Sequence, residues 1–166
     1  MKRKAVYAGS FDPITMGHLD ITRRALGIFD EIVVAVAHNP EKDSALFSAA
    51  ERVDMIRTAL ADTGDRVTVD AFSGLLVEYC DRVRATAIIR GLRAVSDFEY
   101  EFQMAMMNRH LNPRVETYFM TASETYFYTA SRLVKEVASL GGDVSALVPP
   151  VVHRALVERF SAGKRS

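Results

Sequence analysis

The stretch Val6-Tyr7-Ala8-Gly9-Ser10-Phe11-Asp12-Pro13-Ile14-Thr15-Met16-Gly17-His18 constrains the fold more than any other part of the chain. Ala5 to Ala8 reads as a first β-strand that breaks at Gly9-Ser10, and Pro13, which has no amide proton for a ladder, rules out continued pairing. From Gly17-His18 onward Leu19, Ile21, Ala25, Leu26 and Phe29 fall at helical spacing. Strand, glycine-bearing loop and helix is an arrangement that holds nucleotide phosphate: free N–H groups of the first helical turn face the anion and the helix dipole favours its charge. Gly9 and Gly17 would let backbone approach a ligand, and His18 would add a side-chain donor. The plain alternative, a βα turn with a surface histidine, fits the Gly-His pair alone but not the whole patterned stretch.

The remaining chain repeats the alternation. Ile32 to Ala37 is a β-branched run that reads as a strand buried on both faces, as in a parallel sheet. Ser48 and Glu51 form a capping box for a helix carrying Val53, Ile56 and Leu60. Val67 to Ala71 is a third strand, Leu75 to Val83 a short helix, and Thr86 to Ile89 a fourth strand ending on Arg90-Gly91-Leu92-Arg93. Ser96 or Asp97 should cap a long helix through Leu111, Val115 to Met120 is a fifth strand, and helices follow over Ser131 to Leu140 and Val151 to Phe160. This order is that of an α/β protein: a Rossmann-like, doubly wound, five-stranded parallel sheet with C-terminal helices, residues 1–166 forming one domain. Ligands of such sheets bind beyond the C-terminal strand ends, where Ser10, His18, Lys42, Ser73 to Leu76, Arg90 to Arg93 and the Ser123 to Ser131 loop all fall.

Composition narrows the function. The 166 residues carry 21 Lys+Arg and 21 Asp+Glu, a zero net charge that argues against general nucleic-acid binding. The single cysteine, Cys80, excludes an intrachain disulfide and a multi-cysteine zinc site and reads as a buried thiol. No apolar run reaches the roughly 18 residues of a membrane span, and no signal peptide is evident, so a cytoplasmic protein without membrane partners is expected.

Two guanidinium groups around a glycine, in Arg90-Gly91-Leu92-Arg93, suit phosphate oxygens, with a structural salt bridge as the alternative. Lys42 alone would be an ordinary solvated lysine. Phe98, Phe102, Ala105 and Met106 make a stripe suited to a core or a subunit interface, and Glu101 could face the site from the same helix. His38, His110 and His153 show no metal-ligand spacing and read as structural or surface residues.

These residues carry a resemblance. Thr15-Met16-Gly17-His18 resembles the T/H-x-G-H motif of the nucleotidyltransferase superfamily. Gly9 to Asp20, Ile89 to Arg93 with Asp97 to Glu101, Met107 to His110, and Leu133 to Val137 with Gly141 to Val144 are together similar to phosphopantetheine adenylyltransferases over nearly the whole chain. The resemblance implies that ATP and 4′-phosphopantetheine give 3′-dephospho-CoA and pyrophosphate, in the penultimate step of coenzyme A synthesis. It implies that Ser10, Lys42, Leu76 and Arg90 bind phosphopantetheine. It places ATP at Ser10, Phe11, His18, Gly91, Leu92, Arg93 and Glu101, and along Tyr126, Phe127, Tyr128, Thr129, Ala130, Ser131 and Arg132. It further implies Mg²⁺, a homohexamer and feedback by CoA. The chain departs from the family where three consecutive hydroxyl residues usually stand: here they are Ala130-Ser131-Arg132. Thr129 and Ser131 are then expected to supply hydroxyls and Arg132 a compensating charge.

The expected chemistry is in-line attack of the acceptor phosphate on the α-phosphorus of ATP, without a protein nucleophile, with His18, Lys42 and Arg90 as catalytic residues. Rival readings are a nucleotidyltransferase acting on nicotinamide mononucleotide or using CTP, and an inactive nucleotide- or CoA-binding regulatory module. A response-regulator-like domain would need an acidic cluster that Asp12 alone does not supply.

Overall fold

The alternation of strands and helices is present in the computed structural model, which describes residues 2–39, 44–127 and 129–162. Strands β1 (Lys4–Gly9), β2 (Glu31–Ala37), β3 (Val67–Phe72), β4 (Ala87–Leu92) and β5 (Glu116–Thr121) form one sheet in the order β3-β2-β1-β4-β5, with every pairing parallel. Helices α1 (Met16–Ala25), α2 (Ala49–Ala59), α3 (Leu76–Val83), α4 (Val95–Leu111), α5 (Ser131–Ser139) and α6 (Pro150–Ala162) connect or follow them. The chain winds from β1 outward through β2 to β3, then returns to β4 on the other side of β1. The crevice between β1 and β4 is therefore the topological switch point, where such sheets bind ligands.

The central strands are apolar on both faces because both faces are covered. Tyr7, Val34, Val36 and Ile89 pack under α1, α2, α5 and α6 through Leu19, Ile21, Ile56, Val134, Val152 and Leu156. Val6, Ala8, Val33, Ala35 and Ile88 pack on the opposite face against Val77, Tyr79 and Cys80 of α3. Cys80 is fully buried, as expected, and burial pushes its thiol up to about 12. The Ser48–Glu51 capping box is formed in both directions.

Two local expectations are corrected. β4 does not stop at Ile89 but continues to Leu92, because Arg90, Gly91 and Leu92 stay in register with Phe119, Met120 and Thr121 of β5. At Gly91 the packing is close: a β-carbon would lie 2.7 Å from Ile21 Cδ1, so that side chain would have to shift. Neither Ser96 nor Asp97 caps α4; the helix starts at Val95 with Ala94 at the cap position and no side-chain cap. Of the two readings of the Phe98–Phe102–Met106 stripe, core or subunit interface, the core one falls: these side chains are 46%, 49% and 53% exposed, and α4 has no buried residue.

Candidate active site

Two cavities open side by side beyond the C-terminal ends of β1, β2 and β4. The first, about 710 Å³, is lined by Ser10, Phe11, Asp12, His18, Arg93, Phe127, Ala130, Ser131, Arg132 and Lys135, among others. The second, about 680 Å³, is lined by Leu76, Arg90, Glu101, Met104, Ala105 and Asn108 together with Phe72 to Leu75. Ala37, His38 and Asn39 line both, so the end of β2 forms the shared wall. A smaller pocket of about 90 Å³ continues inward past His18 and Arg93 to Gly91, Tyr126 and Thr129.

His18 sits where the first cavity meets this inner pocket. Thr15 is the N-cap of α1, and its side chain accepts the His18 amide proton. In return the Thr15 backbone N–H donates to His18 Nδ1 at 3.0 Å. The imidazole thus takes the place of the Glu of an ordinary capping box. Because Nδ1 accepts, a neutral ring carries its proton on Nε2. Burial, reinforced by the Arg93 guanidinium, lowers the His18 pKa to about 3. His18 is therefore a neutral donor at physiological pH, not a base awaiting a proton. Phe11, held at φ 46°, packs its ring edge-on against both His18 and Tyr7. A positive φ on a bulky residue is uncommon and costly, and marks the loop as built for a site.

The capping box also moves the expected phosphate cradle. The Met16 N–H donates to the Leu147 carbonyl and the His18 N–H to Thr15, so the first turn of α1 does not present a free row of donors. Gly17 is glycine because a β-carbon there would lie 2.5 Å from Thr129 Oγ1. The open helix start at the first cavity is instead that of α5, which has Ala130 at its cap position, no side-chain cap, and Ser131 and Arg132 in its first turn. Its amides are oriented for an anion. The hydroxyls expected to compensate for the departure are committed elsewhere. Thr129 is buried and donates to the Tyr126 carbonyl, and Ser131 donates to the Pro13 carbonyl. Arg132 remains as the cationic replacement on the cavity wall.

Three side chains that sequence reasoning missed hold this floor in place. Asp12 is 5% exposed and accepts from the Leu46 and Phe47 amides and from Lys135 Nζ at 2.6 Å. Burial disfavours its charge, yet the Lys135 ammonium and the two amides hold its carboxyl below the usual carboxylate range. Arg52, buried at 1% exposure, donates to the Ser10, Ala37 and Ser48 carbonyls and so ties the end of β1 to the end of β2 and the start of α2. Lys135 lines the cavity beside Arg132. Lys135 lies one turn beyond Ser131, which gave a local signal, but the Asp12–Lys135 pair spans 123 residues and gave none.

Of the remaining expected residues, Arg90 and Leu76 meet in the second cavity. Glu101, expected with the nucleotide group, lines that second cavity instead and is gripped by Arg90. Leu92 lines none of the three cavities; its carbonyl accepts the Ala122 N–H. His38, read as structural or surface, forms part of the shared wall. Lys42 and Tyr128 lie outside the described residues. Among the described residues no cluster of three or more His, Cys, Asp or Glu side chains could hold a metal ion. The first cavity's wall carries four cationic side chains, Arg52, Arg93, Arg132 and Lys135, against two carboxylates, Asp12 and Asp97, an excess of positive charge that suits an anionic ligand.

The chain matches the model of the cytidylyltransferase-like family over residues 6–136. It is 60% identical over 162 residues to a phosphopantetheine adenylyltransferase of Geobacter metallireducens, covering 97% of this chain and 98% of that protein. A phosphopantetheine adenylyltransferase of Nocardioides sp. is 56% identical over 160 residues, covering 96% and 99%. Among solved structures, a bifunctional NMN adenylyltransferase/ADP ribose pyrophosphatase from Francisella tularensis superposes with a TM-score of 0.71 at 16% identity, over 97% of this chain and 50% of that one. That likeness is one of fold.

Proposed function

The chain belongs to the phosphopantetheine adenylyltransferases, within the cytidylyltransferase-like family, and on that premise we propose how its residues transfer the adenylyl group of ATP to 4′-phosphopantetheine, releasing 3′-dephospho-CoA and pyrophosphate. ATP occupies the first cavity and its inner pocket, and phosphopantetheine occupies the second. The two meet at the shared wall that Ala37, His38 and Asn39 form. The acceptor phosphate attacks the α-phosphorus in line, the bond to the pyrophosphate oxygen breaks, and no protein nucleophile intervenes. A phosphate monoester is already anionic near pH 7, so the protein's task is positioning and charge stabilisation.

The observation that carries this reading is the neutral His18, set where the first cavity meets its inner pocket beside Arg93, with Arg132 and Lys135 on the first cavity's wall and Arg90 in the adjoining second cavity. Its Nε2 proton is fixed by the Thr15 contact before substrate arrives, so donation to an α-phosphate oxygen costs no reorganisation. Arg90, with Lys42 assigned by resemblance alone, holds the acceptor phosphate. Arg93, Arg132, Lys135 and the amides at the start of α5 take the charge of the departing pyrophosphate. Mg²⁺ would enter with the nucleotide rather than as a resident ion, since the described side chains offer no cage for it; no step here passes through it.

Three further assignments complete the reading. The apolar face of α4, with Phe98, Phe102 and Met106 half exposed, packs in a homo-oligomer, a hexamer by resemblance. CoA, which joins an adenine nucleotide to a phosphopantetheine arm, fits both cavities at once and so acts as a competing feedback ligand. No helix among the described residues is long and apolar enough to cross a membrane, and the enzyme works in the cytoplasm.

The test is pyrophosphate release from Mg-ATP with 4′-phosphopantetheine, beside nicotinamide mononucleotide as acceptor and glycerol 3-phosphate with CTP. Release with phosphopantetheine alone is expected. Release only with another pair would replace the acceptor assignment, and tight ATP or CoA binding with no release would point to a regulatory module.

A further inference from the structure

Arg90 is held more firmly than a ligand-binding arginine needs to be if its partner were only the substrate. Its Nε and Nη2 donate to the two carboxylate oxygens of Glu101 at 2.7 and 2.6 Å, and its Nη1 donates to the Ala8 carbonyl at 2.8 Å. Glu101 comes from α4 and Ala8 from β1, so the guanidinium is spanned between a helix and the central strand. The Glu101 side chain is 12% exposed and that of Arg90 31%, which screens the fork from water while leaving Arg90 open to the cavity. Of five guanidinium N–H groups, these contacts use three, and one remains on each Nη nitrogen. Glu101, Met104, Ala105 and Asn108 follow one another at helical spacing along the cavity wall. Glu101 therefore stands at the head of the face that α4 gives to the second cavity.

From this geometry we propose that Glu101 is a positioning residue for the acceptor phosphate: it locks the Arg90 guanidinium in one orientation, so that its two remaining N–H groups face the phosphate of the incoming acceptor. The proposal rests on reading the second cavity as the acceptor site, and it assigns Glu101 to that site rather than to the nucleotide. The carboxylate lowers the net positive charge near the acceptor phosphate. In exchange Arg90 meets its ligand already oriented, and the ordering of a long flexible side chain is not charged to binding. A lysine at position 90 could not be fixed in this way, because a point charge has no second edge to grip.

The experiment measures binding of 4′-phosphopantetheine and of pantetheine, which lacks the phosphate, by calorimetry on the full-length protein, together with KM values in the forward reaction. Three proteins are compared: the native chain, Glu101→Gln and Glu101→Ala. Glu101→Ala is expected to weaken phosphopantetheine binding and raise its KM roughly 10- to 100-fold. Glu101→Gln, which keeps the shape and one of the two hydrogen bonds, should fall between. Pantetheine affinity and the KM for Mg-ATP should stay within about twofold, because neither ligand depends on the Arg90 fork. Tighter phosphopantetheine binding in either variant would overturn the proposal by showing that Glu101 competes with the phosphate. A raised KM for Mg-ATP without a change for the acceptor would return Glu101 to the nucleotide site. Equal loss of pantetheine and phosphopantetheine would mean that the cavity wall, not the fork, had been damaged. If Glu101→Ala does not fold, Glu101→Gln against the native chain gives the same discrimination. Failure of the native enzyme to turn over phosphopantetheine would instead count against the acceptor assignment itself.

Discussion

At the scale of single residues the site is a set of fixed donors, and His18 is the one whose chemistry can be read most closely. Thr15 N–H on Nδ1 leaves Nε2 as donor, and burial keeps the ring neutral. Removing it in His18→Ala should lower kcat by roughly 10²- to 10³-fold, as for the loss of one transition-state donor, with smaller changes in KM for either substrate. Steady-state kinetics check this, and an unchanged kcat would remove His18 from the reaction. The same residue predicts a pH effect on stability. Its folded pKa, about 3, lies below the ordinary value of 6.5, so the unfolded chain binds a proton that the native chain does not. Above pH 6.5 the residue contributes no pH dependence, and between 6.5 and about 3 it withdraws stability as pH falls. Denaturant melts over that range should show a shallower acid limb in His18→Asn than in the native protein. Asp12 acts in the same direction at lower pH, since its depressed pKa also means stability lost on protonation. Asp12→Asn leaves Lys135 without its carboxylate and should cost about 1–3 kcal/mol, read as a lower Tm.

At the scale of elements, what could be read from sequence and what could not divide along the range of the interactions. The Ser48–Glu51 box was legible because both partners lie within one turn. The Thr15–His18 box has the same spacing, and only the unusual histidine at its third position hid it. The expected phosphate cradle at α1 gave way to α5 because the His18 amide is satisfied by Thr15 and the Met16 amide by the Leu147 carbonyl, a partner that no local pattern announces. Tertiary partners likewise decided the fate of Thr129 and Ser131, whose hydroxyls donate to the Tyr126 and Pro13 carbonyls. Two predictions belong here. Arg132→Ser removes the charge that stands at the open start of α5, and should raise the KM for Mg-ATP roughly tenfold or more. Gly17→Ala drives a β-carbon toward Thr129 Oγ1 at 2.5 Å, and should cost about 1–3 kcal/mol. Adding Thr129→Ala relieves that clash, so the double variant should be more stable than the sum of the two single losses, as a double-mutant cycle would show.

At the scale of the whole molecule, a near-continuous apolar run in β2, short apolar runs in β1 and β4, and strand–helix alternation were enough to foresee a parallel sheet with cavities beyond one edge. The exposed face of α4 was ambiguous in sequence, since core and interface stripes share one spacing; exposure of Phe98, Phe102 and Met106 removes the core reading. If this face packs between copies of the chain, as proposed, a chain carrying Phe98→Asp and Phe102→Asp should sediment as a smaller species than the native protein, and a native protein that sediments as a monomer would contradict the interface. The central claim is that two substrates held side by side react directly, the protein supplying only position and charge. It is tested most directly by the stereochemistry at the α-phosphorus, using ATP made chiral there with sulfur and analysing the dephospho-CoA product by phosphorus NMR. A single in-line displacement predicts inversion of configuration. Retention would mean two displacements through an adenylylated protein side chain, and would contradict the account.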